Sequence, residues 1–131
     1  MATTSKIERQ YALAVDVDLG VANMGSGNGI TVKLPPGAYM IDIKAHIVTA
    51  FNSATTATVS ASDGTTTFIS AEDAKAAALT NVVVDVPRKF FPSGGTITFS
   101  LAETGATATA GRIIGLVEYV ILGRGNEVVT Q

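Results

Sequence analysis

The chain has 131 residues and a formal net charge of −2, which suits a single domain of ordinary size and excludes the uniform cationic field of a primary nucleic-acid binder or an anionic-membrane protein. It contains no cysteine, so a disulfide framework and a thiolate metal site are excluded as well. Charged residues make up only 15% while Ser and Thr number 25, against about 25% charge in a usual soluble domain; such a surface loses its water cheaply in lasting contacts and points to assembly.

Residues 1–10 are polar, mixed in charge and aperiodic. They read as a flexible N-terminal arm that orders only when something docks on it, and they lack the apolar core of a signal peptide. The apolar runs fall short of the roughly 20 residues a membrane helix needs. The β domain is expected over 11–123, with a C-terminal tail over 124–131.

Tyr11, Leu13, Val15, Val17 and Leu19 alternate with Ala12, Ala14, Asp16 and Asp18, the period of a half-buried strand. Gly25-Ser26-Gly27-Asn28-Gly29 then predicts a tight reversal into a second strand, Ile30 to Leu34. Pro35-Pro36-Gly37 stops that strand.

The stretch Leu34 to Ser62 reads as a long hairpin. Tyr39, Ile41, Ile43, Ala45 and Ile47 share one face and Asp42, Lys44 and His46 the other; Asn52-Ser53 turns; Ala57, Val59 and Ala61 return on the apolar face. A second sheet must cover that face. Asp63-Gly64 closes the unit, and Thr65 to Ile69 is a short strand.

Ser70 to Leu79 is the one helical candidate, with Ser70 as cap, acids in the first turn and alanines after. Asn81 to Val86 follows as a strand, ended by Pro87. Arg88-Lys89-Phe90-Phe91-Pro92 reads as an exposed bend, Thr96 to Ala102 as a strand with Ile97, Phe99 and Leu101 inward, and Glu103 to Gly111 as a loop with much backbone freedom. The last strand, Arg112 to Leu122, is apolar on both faces: Ile113, Val117, Tyr119 and Ile121 on one, Ile114, Leu116, Val120 and Leu122 on the other. Such a strand is either central or pressed against a neighbouring subunit. About eight strands and one short helix make an all-β, antiparallel β-sandwich of jelly-roll type.

No arrangement of residues carries chemistry. The glycine-rich loop opens a strand where a phosphate loop needs a helix. The acids Asp16, Asp18, Glu72 and Asp73 do not form a calcium ligand loop or a glycosidase pair. His46, the only histidine, stands in step with Asp42 and Lys44 on the polar face, with no nucleophile elbow anywhere. Arg88 to Phe91 mixes cations and aromatics, as single-strand binders do, but equally suits a loop capping the core or a protein–protein anchor. No catalytic residue, metal or cofactor is expected.

Leu34-Pro35-Pro36-Gly37-Ala38-Tyr39, Phe51-Asn52-Ser53-Ala54-Thr55-Thr56, Phe91-Pro92-Ser93-Gly94-Gly95-Thr96-Ile97-Thr98 and Glu118-Tyr119-Val120-Ile121-Leu122-Gly123-Arg124 resemble segments of the small structural proteins of tailed bacteriophages. The likeness, over about residues 30–130, is to capsid cement or decoration proteins. It implies a jelly-roll-like domain that forms a homo-oligomer, a dimer or trimer, and clamps the major capsid protein from outside the shell. A tail or fibre component, or a receptor- or carbohydrate-binding sandwich, is the alternative. The resemblance and the two-faced last strand nominate Lys6, Ile7 and Arg9 in the arm, Arg88, Lys89, Phe90 and Phe91 in the bend, Ile114 and Leu116 in the last strand, and Arg124, Val128 and Val129 in the tail as partner contacts, with neither nucleic acid nor membrane as a partner.

Overall fold

The computed structural model describes residues 6–9, 11–21, 29–75, 79–123 and 127–130. Its elements are all strands: β1 (Lys6–Arg9), β2 (Leu13–Gly20), β3 (Gly29–Leu34), β4 (Ala38–Thr49), β5 (Thr56–Ser62), β6 (Thr67–Asp73), β7 (Thr80–Asn81), β8 (Lys89–Phe91), β9 (Gly95–Thr104), β10 (Arg112–Ile121) and β11 (Glu127–Thr130). One sheet runs β2-β10-β4, with β7 and β8 both pairing the far side of β4. A second runs β3-β9-β5-β6, and β1 pairs β11 in a separate ribbon. Every pairing is antiparallel.

The period-two faces meet between the two sheets. Leu19, Met40, Ile43, Ile47, Ile113 and Val117 from the first sheet pack with Val59, Phe68, Ile69, Ile97 and Phe99 from the second, all fully buried. Each such side chain contributes roughly 1.5–3 kcal/mol by leaving water. β10 is central, lying between β2 and β4, the first of the two places expected for a strand apolar on both faces.

The expected long hairpin does not form. β4 pairs β10 in one sheet and β5 pairs β9 in the other, so the two halves cross from sheet to sheet and face one another across the core. Alternation specifies that each arm has an apolar face, and stacking buries two such faces where lateral pairing leaves both open. Asn52-Ser53 therefore turns a corner. The Gly25–Gly29 reversal likewise joins no hairpin, since β2 and β3 belong to different sheets; residues 22–28 lie outside the described ones.

A β-bulge corrects the reading of β4. The register against β10 shifts between Glu118 and Tyr119, and an extra residue flips every side chain beyond it. Ala38 and Met40 are buried together with Ile43, Ala45 and Ile47, while Tyr39 and Ile41 lose the fully buried places assigned to them.

The helix expected at Ser70 to Leu79 is overturned over its first turn. Ser70 to Asp73 extend β6, with Glu72 opposite Val59 and Asp73 opposite Thr58. Isolated two-turn helices are marginal, and the open side of β5 offers a ladder instead. Residues 76–78 lie outside the described ones. The strand expected over Asn81 to Val86 pairs only at β7. Beyond it Val82 N–H donates to Ala45 O (2.9 Å) and Asp85 N–H to Phe68 O (2.8 Å), so this stretch ties the first sheet to the second along one flank.

Candidate partner-binding surface

The outer face of the first sheet is built in rows across β2, β10 and β4. Ile114 lies between Asp18 and His46, Leu116 between Asp16 and Lys44, and Glu118 between Ala14 and Asp42. Ions fence the two apolar residues. Arg112 donates from Nε and Nη2 to Asp18 at 3.0–3.3 Å, and Lys44 Nζ lies 3.1 Å from Glu118 and 3.2 Å from Asp42. Glu118, and after it Asp42, raise the Lys44 pKa, and Asp18 raises that of Arg112. His46 Nδ1 is 2.8 Å from Asn81 Oδ1; the residue lies on the outer face of the strand as expected but is half-buried where full exposure was expected.

Past the bulge the face turns apolar. Val120 stands opposite Tyr39, which stands opposite Phe90. The Tyr39 and Phe90 rings tilt at 33° with centroids 6.4 Å apart, and Phe90 is 43% and nearby Leu122 52% exposed. The apolar cluster thus lies beside a strip in which Arg112 is paired with Asp18 and Lys44 with Asp42 and Glu118, a composition suited to a protein contact.

The bend at Arg88 to Phe91 is half what it was expected to be. Residues Lys89–Phe91 form β8, paired with Ala38–Met40, so alternation sends Phe90 outward and Phe91 into the core, buried beside Phe68. Arg88 is exposed. Lys89 is half-buried and held within the fold: its ammonium binds Asp63 Oδ2, donates to Thr66 Oγ1 at 2.9 Å and to Thr65 Oγ1 at 3.2 Å, and sits 5.3 Å from the Phe91 ring centroid. Phe91 and Lys89 thus serve the fold, because a strand pairing was hidden in what read as a bend.

Asp63 is the anchor of that latch, with a side chain only 6% exposed. Burial pushes its carboxyl up, but hydrogen bonds from Lys89, the Thr66 and Thr65 N–H groups and the Thr65 hydroxyl outweigh it and hold the group well below the usual carboxylate range.

The expected arm and tail meet each other. In the ribbon Lys6 stands opposite Thr130, Ile7 opposite Val129, Glu8 opposite Val128 and Arg9 opposite Glu127, so five nominated residues share one two-stranded unit. Arg124 lies outside the described residues.

The loop after β9 is pinned where freedom was expected. Asn52 Oδ1 accepts from Thr109 N–H (2.8 Å) and Ala110 N–H (3.1 Å), while its Nδ2 donates to Thr109 Oγ1 (3.0 Å). Glu103 Oε2 accepts from Ser53 Oγ (2.8 Å) and Ala108 N–H (2.7 Å). Among the described residues no group of three or more His, Asp or Glu is placed to hold a metal ion.

No protein-family model matches this chain, and no curated protein matches it. A solved structure does. The fold is similar to that of a chain in a phage capsid. That chain comes from the acidic stable capsid structure of Helicobacter pylori bacteriophage KHP30, with a TM-score of 0.66, 15% sequence identity, and coverage of 98% of both chains. The all-β sandwich expected from the sequence is therefore shared end to end with a phage-capsid chain, down to lengths that nearly coincide.

Proposed function

We propose that this chain is a non-enzymatic structural protein of a bacteriophage head, and within that class a cement or decoration protein that binds the major capsid protein from outside and reinforces contacts between capsomers. The observation that carries the reading is the whole-length similarity in fold to the KHP30 capsid chain. The phage-like segments of the sequence and the low charged fraction, 15%, support it from the other side, because lasting attachment favours surfaces with few ions to strip of water.

Two features are assigned to attachment. The first is the apolar cluster of Tyr39, Phe90, Val120 and Leu122, with Arg88 exposed beside it, a combination typical of interface anchors. The second is the β1–β11 ribbon, because an isolated two-stranded unit is marginal in water and gains stability by packing on a neighbour. Synthesis in the host cytoplasm and residence on the capsid exterior follow from this reading.

The test is saturable binding of the purified protein to purified phage shells that lack it, followed by light scattering and co-sedimentation. Saturation at a fixed number of copies per shell supports the assignment. A protein that ignores shells overturns it. Removal of residues 1–10 or 124–131 is expected to weaken binding while the circular dichroism of the sandwich is kept; unfolding of either truncation defeats the role given to the ribbon.

A further inference from the structure

The described strands leave two long, regular sheet edges open. β2 pairs only β10, and β3 pairs only β9. The opposite flank is closed by short or broken pieces: β7 has two residues, β8 three, and β6 carries Ala71 at φ 43° with a shifted register. β2 and β3 lie against each other on one side of the sandwich, so both open edges face the same way. An unpaired edge presents backbone N–H and C=O groups to any strand that fits.

The charges on these edges are of opposite sign. On β2, Asp16 points outward, is exposed, and has no side-chain partner among the described residues; the neighbouring Asp18 is taken up by Arg112. On β3, Thr31 and Lys33 are exposed between the buried Val32 and Leu34, and Lys33 is likewise unpaired among the described residues. No proline interrupts either strand.

We propose that a second copy of this chain docks on this flank, the β2 edge of each copy pairing with the β3 edge of the other in a closed two-fold dimer. Set antiparallel with Lys33 opposite Asp16, Val32 falls opposite Val17 and Leu34 opposite Val15, so the inward apolar rows run on from one copy into the next. Thr31 then meets Asp18, and Pro35, which has no N–H to give, marks the end of the ladder. The competing two-fold contact, β2 on β2, sets Asp16 against Asp16 or against Asp18 in its two longest face-matched registers, and like charges directly opposite are unfavourable. The charges thus favour pairing of β2 with β3 over pairing of β2 with β2. Because both edges sit on one flank, the two contacts form together and the assembly closes instead of growing. The contact belongs to the free protein and does not depend on attachment to a shell.

The experiment uses charge reversal at the two exposed positions, read by analytical ultracentrifugation, with circular dichroism as the check on folding. The wild-type chain is expected to sediment as a dimer. Asp16→Lys and Lys33→Asp should each weaken dimerisation roughly 100-fold, since each sets like charges opposite at both symmetric contacts. The double variant Asp16→Lys/Lys33→Asp should dimerise again. Mixing the two single variants should give a heterodimer, because the altered β2 edge of one then meets the altered β3 edge of the other while the remaining contact is native. A monomeric wild type, single variants that keep the wild-type mass, or a double variant and a mixture that both stay monomeric would each overturn the proposal. Shell binding, measured separately on the same variants, tells a failed dimer from a failed capsid assignment.

Discussion

Neutralising Asp63 should destabilise the protein by an amount that depends on pH. The Asp63 carboxylate accepts the Thr65 N–H (2.9 Å), the Thr66 N–H (2.6 Å) and the Thr65 hydroxyl (3.0 Å) through Oδ1 and holds the Lys89 ammonium through Oδ2. Asp63→Asn keeps an acceptor for the turn but removes the charge, leaving a partly buried Lys89 unpaired; a hydrogen bond to a charged group contributes about 1.5–3 kcal/mol, so the expected loss is about 2 kcal/mol. With an unfolding entropy of roughly 2.1 cal/mol/K per residue over 131 residues, that corresponds to a fall in Tm of about 7 °C. The folded-state pKa of Asp63 lies below its unfolded value. Its stabilisation is therefore complete above the unfolded pKa of about 3.9 and fades as pH drops toward the folded one. The gap between wild type and variant should stay constant from pH 7 to about 5 and shrink below about 4, by up to about 1.4 kcal/mol per pH unit. Thermal melts of both proteins from pH 7 to 2 measure this, and the other carboxylates cancel in the difference. Equal Tm values at neutral pH, or a gap that does not change down to pH 2, would refute the latch.

Gly111→Ala should cost at least about 2 kcal/mol, because φ is 152° and a Cβ would stand 2.5 Å from the Phe51 ring; a chemical denaturation midpoint close to wild type would contradict this. Gly115→Ala, whose Cβ would meet Phe99 Cε1 at 2.9 Å, should cost about 1–3 kcal/mol by overpacking, visible in the same assay. Asn52→Ala removes the anchor of residues 104–111, so amide exchange at Ala110 should speed up well beyond that of the core strand amides, with a global loss of about 1–2 kcal/mol. Phe90→Ala should change stability by less than about 1 kcal/mol for a half-exposed ring while weakening shell binding at least about tenfold, as an anchor residue does; unchanged binding would remove the apolar cluster from the attachment surface.

The nominated contacts show how much a one-dimensional pattern carries. Ile114 and Leu116 were placed on the face opposite Ile113 and Val117 by parity alone, and they lie there, because β10 between its first residue and the bulge is regular. Phe90 and Phe91 could not be sorted by parity, since Lys89–Phe91 looked like a bend between prolines; only pairing with Ala38–Met40 separates the outward ring from the buried one. Lys89 carried no sign of its partner, because Asp63 is 26 positions away. The capping residues Asn52 and Glu103 were passed over for the same reason: their partners lie about 50 residues off or across a loop, and a lone Asn in a turn-like stretch looks the same whether or not it holds another segment.

The sequence by itself determined that this is an all-β sandwich, since period-two alternation is a local property of each strand. Only the tertiary structure decided which strands are neighbours. β4 and β5 carry the same apolar alternation whether they lie side by side or face to face, and it is the burial gained by closing two sheets over one core that separates them. The same holds for the bulge in β4, for the strand at Ser70 to Asp73 in place of a helix, and for the two open edges on one flank: each depends on a partner strand distant in sequence, and no local pattern records it.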